Sequence, residues 1–429
     1  MSGSENSLNL EFEEFDLPNG LHCILYKDIT KPNVCVMPAY NVGSKDEVKG
    51  QKGIAHLFEH MMFQGSENVS RTGHFDMIMH AGGICNAFTG FDSTVYFDLL
   101  PSHNLELALW LESDRMNSLN ISESNLNNQI SVVLEEKKQV VDNVPYGTMI
   151  ENYVKNVLGG SQYEISVIGL EKDIRSISVK DASNFHKNFY SPDNCALMVS
   201  GAIDTEKTKD LIFKYFGDIH KKNLIKRKKN TIKELTVNKK LIVPDNVQLP
   251  VVSVSFQLPK AGSRAEYDLE YFIEILANNK SSRLYRKYVY EKNLFKSVHA
   301  DKQIFKDAGI LMLTAMLNPS TDPALAAKII KDEINLFYKN EISDKEFEKI
   351  RNQIEFRNVV KNLKMTNISI ETVQNYHFFK DTNLINTSFE KYNSVTKETV
   401  KETVKNLLID KKNFTLTYLP AEKYLKKKK

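Results

Sequence analysis

The chain is short of cysteine, modest in glycine and proline, nearly balanced in charge and free of long apolar runs. Its 429 residues include four cysteines, Cys23, Cys35, Cys85 and Cys195, with no C-x-x-C pair. Cys23 and Cys35 lie in apolar, strand-like runs and read as buried free thiols, although one disulfide is compatible with the count. The four are set aside as metal ligands. No stretch approaches 18 consecutive apolar residues, and the start, MSGSENSLNLEFEEF, lacks a leader's apolar core. These absences point to a soluble chain with no membrane partner, cytoplasmic as it stands or periplasmic had a signal been removed. The net charge of +3 comes partly from the Lys426–Lys429 tail and the 221–240 region. Both read as solvated segments, which argues against a nucleic-acid partner.

What is present is globular: 41% hydrophobic, 26% charged and long enough for two domains or more. Strand-like runs at 21–26 and 34–41 lead into an apolar helix at about 53–63. A helix around 74–80, a break at Gly82-Gly83, a strand at 95–100 and a helix at 105–116 follow. A longer helix is expected at 122–142, its stripe formed by Leu126, Ile130, Val133, Leu134, Val140 and Val141. The Lys/Asn-rich stretch 221–240 interrupts this patterning, so the expected division is 1–225, a linker at 226–245, and 246–429. Beyond the linker the order repeats loosely: a strand at 251–257, a helix at 269–278, a segment at 281–291, a strand near 310–316, then two amphipathic helices. Two similarly built halves are expected, the second without a metal site.

Chemistry concentrates in His56-Leu57-Phe58-Glu59-His60. Histidines four apart on a helix point the same way and can share one metal ion. Ile54, Ala55, Leu57, Phe58, Met61 and Met62 leave this helix no polar face except the motif, so the helix is buried and its polar groups need partners. A lone core histidine is more often bonded to backbone; the pair shifts the balance toward a metal. H-x-x-E-H is the arrangement of the inverzincins. Catalytic zinc takes three protein ligands plus water, so a carboxylate has to arrive from elsewhere. Glu59, about 100° around the helix from His60, is better placed to accept a proton from water than to ligate. On the 122–142 helix, Gln129 and Glu136 fall within about 20° of each other at the edge of the apolar stripe.

With these residues in view, the chain resembles peptidase family M16, which includes pitrilysin, insulin-degrading enzyme and the mitochondrial processing peptidase. The landmarks are Asn19-Gly20-Leu21, Val42-Gly43-Ser44-Lys45-Asp46-Glu47, Gly53 through Met61, and Asn86-Ala87-Phe88-Thr89 before Thr94-Val95-Tyr96. The resemblance covers the N-terminal half and, more faintly, the C-terminal half. It implies an α+β fold of two similarly built domains, each a mixed, mostly antiparallel sheet packed with helices on one side. It also implies a zinc endopeptidase that holds extended peptides in an enclosed chamber, with one Zn2+ per chain. The third ligand is then Glu136, 76 positions past His60, with Glu135 the runner-up that helical phase disfavours. Asn86, Ala87 and Phe88 would form an edge strand that pairs with substrate. Glu47 and Arg115 also match family-like positions, where structural salt bridges account for them equally well.

Two departures narrow the reading. Gln129 stands where the family usually carries a second glutamate facing the zinc, so metal binding is expected with activity tuned down. The stretch 290–298 lacks an arginine and a tyrosine that active members extend toward substrate. This implies a dimer, either with an M16-like partner chain supplying that pair or with a second copy. The competing reading is a non-catalytic M16-like scaffold subunit; an α/β binding protein with a structural metal would leave Glu59 without a purpose.

Overall fold

The computed structural model describes residues 9–221, 227 and 229–421. The first eight residues, the Lys426–Lys429 tail and part of the basic stretch after Lys221 lie outside the described residues. The chain forms two compact units, and neither is a single run of sequence. The first comprises 1–137, 165–229 and 358–389; the second comprises 138–164, 230–357 and 390–429. The division expected at 226–245 falls between their main segments, but 138–164 and 358–389 are exchanged.

In the first unit six strands form one sheet: β1 (Glu13–Asp16), β2 (His22–Lys27), β3 (Asn33–Tyr40), β4 (Ile84–Thr89), β5 (Thr94–Pro101) and β6 (Cys195–Gly201). Their order is β1-β2-β6-β3-β5-β4, with β2 and β6 parallel and the other pairs antiparallel. Side chains alternate faces along a strand, so the nearly continuous apolar run of β3 fits a strand covered on both sides. Val34, Val36 and Tyr40 enter the main core. Cys35, Met37 and Ala39 enter a second core closed by Met365, Ile368 and Val373 of the helix Met365–Phe379. Helices therefore cover both faces of this sheet. The covering helix comes from far along the chain, where hydrophobic periodicity does not reveal its partner.

The second unit repeats the plan. Its strands are β7 (Lys239–Asp245), β8 (Val251–Leu258), β9 (Phe295–Ile304), β10 (Gly309–Leu317) and β11 (Phe414–Pro420), in the order β7-β11-β8-β10-β9. Again the β7–β11 pair is parallel and the rest antiparallel. Without β1, the first sheet has the same succession of directions, which is the repeat expected from sequence. The helix Ala265–Leu276 follows β8 as the motif helix follows β3. Where the motif helix has histidines, this one pairs Glu270 and Glu274 with Arg357 at 2.9 and 2.7 Å.

Four helices of the first unit are α1 (Ile54–Met61), α2 (Gly73–His80), α3 (Leu105–Asn117) and α4 (Glu123–Lys137), and α1 and α4 build the site. The helix expected to run to 142 is α-helical to Lys137 and continues as a π-helix over Lys138–Asp142. Gly53 opens α1 at φ 106°, where a Cβ would stand 2.8 Å from Ile174 Cγ1 and 2.9 Å from the Ile168 carbonyl oxygen. Only glycine fits there. The first turn is fixed by Glu47, whose Oε1 accepts the Ala55 N–H at 3.0 Å. Glu47 is thus a helix cap rather than half of a salt bridge. Below, Phe58 is buried against Phe185 and Tyr190, at ring-centroid distances of 5.4 and 4.6 Å. Burial of that ring contributes about 3 kcal/mol to holding α1 in place.

Candidate metal centre

One turn of α1 brings the two imidazoles of the motif to a centroid separation of 4.9 Å. Glu136, on α4, reaches both: Oε1 lies 3.8 Å from His56 Nε2, and Oε2 lies 3.3 Å from His60 Nε2. The donor atoms of all three residues lie within 4.8 Å of one another. Glu135, one position earlier on the helix, is exposed. An apolar stripe locks α4 against the core: Leu126, Val133 and Leu134 are buried and fix which way residue 136 looks.

The donor set fits zinc. Two neutral imidazoles and one carboxylate with an open side form a catalytic rather than a structural set. Burial, with the charge of His60 next to it, pushes His56 down to about 4, so it is neutral near pH 7 as a ligand must be. Burial opposes protonation of His60 too, but the hydrogen bond and charge of Glu136, then the charge of Glu59 and the amide of Gln129, outweigh it and raise the pKa. Glu136 is held below its ordinary range, chiefly by its hydrogen bond with His60 and despite partial burial. Gln129 is buried on α4 one heptad before Glu136, and its contact with His60 has the sense of an amide carbonyl accepting a ring N–H.

Glu59 stays outside this triangle. Its Oε2 accepts a hydrogen bond from Thr89 Oγ1 at 2.5 Å. Burial raises the Glu59 pKa, and the Thr89 hydroxyl opposes that rise. Nothing in the sequence around Thr89 marks it for this role. Its signal is three-dimensional, since it ends β4 directly beside α1.

β4 is the outer strand of its sheet. Asn86, Ala87 and Phe88 lie opposite Phe97, Tyr96 and Val95 of β5, so Asn86 belongs to a strand and not to a turn. The Ala87 N–H donates to Asn86 Oδ1 at 2.9 Å. Arg115 of α3 is buried elsewhere, with Nε donating to Glu112 Oε2 at 2.7 Å and its guanidinium lying over Phe63 and Tyr96. It serves the core, as a structural salt bridge would.

Comparison with known proteins gives the family. The family model described as "Insulinase (Peptidase family M16)" matches residues 24–169, and the one described as "Peptidase M16 inactive domain" matches 176–354. The chain belongs to peptidase family M16. Among M16 relatives it is similar to the zinc protease PqqE of Helicobacter pylori, 29% identical over 346 residues, which are 79% of this chain and 77% of that protein. The fold matches a crystal structure of a protease from Helicobacter pylori with a TM-score of 0.89 and 24% identity, over 96% of this chain and 100% of that one. It also matches the periplasmic protease PqqL from Escherichia coli, with a TM-score of 0.81 and 18% identity, over 98% of this chain and 49% of that one. These M16 relatives bear out the hydrolase, protease and zinc reading of the sequence.

Proposed function

We propose that this chain is a zinc-dependent endopeptidase in which His56, His60 and Glu136 hold the ion, Glu59 handles the proton and β4 receives an extended peptide. The observation that carries the reading is the Glu136 carboxylate placed against both motif imidazoles while Glu59 is held apart by Thr89. When bound, zinc supplies Lewis acidity, which makes a neighbouring water a stronger acid and a peptide carbonyl a better electrophile. The chain's own groups do the rest. Glu59 takes the water's proton and returns it to the leaving amine, a role that needs a carboxylate excluded from the ligand set. Asn86, Ala87 and Phe88 align the substrate as an added strand, with backbone groups giving affinity and Asn86 orienting the scissile carbonyl. Gln129 orients the His60 ring without adding charge.

From the missing arginine and tyrosine we infer that a second chain supplies the rest of the active site. In their region Phe295 and Val298 are buried in β9, while Tyr290 is exposed in the preceding π-helical segment. We place the chain as the metal-bearing subunit of a dimer. Purified alone, it should cleave peptides far more slowly than its complex, and equal rates would contradict this. The same missing pair favours the scaffold reading as the second possibility. Glu59→Gln distinguishes the two: loss of hydrolysis with zinc retained supports an enzyme, whereas a wild-type complex with no hydrolysis to lose supports a scaffold.

A further inference from the structure

A second set of metal donors lies in the first unit. His74 of α2, Cys85 of β4 and Asp98 of β5 offer an imidazole nitrogen, a thiol sulfur and a carboxylate oxygen within 4.8 Å of one another. Cys85 and Asp98 are direct cross-strand partners, so their side chains leave the same face of the sheet. His74 Nε2 is already 3.0 Å from Asp98 Oδ1. His74 and Asp98 are buried at 4% and 0% exposure, while Cys85 is partly open to solvent and gives an entering ion a path.

Charge makes the set unusual. Asp98 faces Glu112, a second buried carboxylate, and the nearby buried cation, Arg115, is bonded through Nε and Nη2 to Glu112. Two carboxylates against one guanidinium leave one negative charge to be met by a proton or a cation. Asp98 Oδ2 is buried and no N–H or hydroxyl group donates to it; the Glu112 carboxyl is the neighbour that helps hold the Asp98 charge. Burial drives His74 down to about 3, so its imidazole does not supply the positive charge.

We propose that His74, Cys85 and Asp98 form a second metal site for a thiophilic divalent cation such as zinc. Binding would displace the Cys85 thiol proton to solvent. The thiolate and the Asp98 carboxylate would then balance the cation's two charges, with His74 as a neutral ligand. At typical zinc bond lengths tetrahedral donors stand about 3.5 Å apart, so the wider pairs of this set would close in while the 3.0 Å His74–Asp98 pair would open slightly. Cys85 was set aside as a ligand because it belongs to no C-x-x-C pair; its partners arrive from two other elements. Occupancy would tie α2 to β4, the strand proposed to receive substrate.

Cadmium titration of the metal-free full-length chain tests this, because a thiolate ligand gives an ultraviolet sulfur-to-cadmium charge-transfer band that imidazole and carboxylate do not. The expected result is one sulfur-bound equivalent per chain, beyond the one held at His56, His60 and Glu136. The band should vanish in Cys85→Ser, persist in Glu136→Gln, and need at least tenfold more cadmium in His74→Gln. No sulfur band in the wild type would overturn the proposal, and that outcome needs no variant to fold. A band unchanged in Cys85→Ser, or an affinity unchanged in His74→Gln, would overturn it as well.

Discussion

Thr89→Val tests how Glu59 is positioned. Valine keeps the shape of threonine and removes only the hydroxyl that donates to Glu59 Oε2 at 2.5 Å. A hydrogen bond to a charged group is worth about 1.5–3 kcal/mol. If that energy holds Glu59 in its productive rotamer, losing it lowers kcat by about 10- to 100-fold. KM should change little, because Thr89 ends the strand and its hydroxyl is committed to Glu59 rather than to peptide. Zinc content should also stay constant, since Glu59 is not among the ligands. Thr89→Ser restores the hydroxyl and should restore most of the rate. The assay is steady-state cleavage of a fluorogenic peptide by the complex, with zinc measured on the same samples. An unchanged kcat in Thr89→Val would refute the positioning argument, and a loss of zinc would show that Thr89 supports the ligands instead.

Other expectations concern the frame around the site. Gln129→Glu should leave zinc content unchanged, whereas Gln129→Leu, which removes the partner of His60, should weaken zinc binding about 10- to 100-fold; a metal-competition assay checks both. Phe58→Ala should cost about 3–5 kcal/mol of stability in chemical denaturation, because its ring packs against Phe185 and Tyr190. Burial lifts the Glu47 carboxyl to about 8 against the backbone hydrogen bonds that favour its charge. A folded-state pKa above the unfolded value means the contribution is complete below about 4.5 and is lost as pH rises toward 8. Glu47→Gln should therefore flatten the dependence of melting temperature on pH across that window, and an unchanged slope would contradict the assignment.

Legibility from sequence followed distance along the chain. His56, Glu59 and His60 declared themselves because one helical turn sets their relation, and Glu136 followed from the stripe that orients α4. The repeat of two similar sheets was visible in the order of elements, with Ala265–Leu276 standing in for the motif helix. Features that depend on remote packing were not visible. Thr89 meets Glu59 only because β4 ends beside α1. Glu47 looked like a salt-bridge residue, and only the fold shows it capping α1. The helix Met365–Phe379 covers a sheet whose strands lie hundreds of residues earlier, so its partner leaves no local trace. His74, Cys85 and Asp98 match no spacing motif, since they come from three separate elements.

The central claim is that Glu136, not Glu135, completes a zinc site with His56 and His60. Parallel Glu136→Gln and Glu135→Gln variants, compared for bound zinc and peptide hydrolysis, test it directly. Glu136→Gln should lose that equivalent of zinc and the hydrolysis together, while Glu135→Gln keeps both. Retention of zinc and activity in Glu136→Gln, or their loss in Glu135→Gln, would contradict the account.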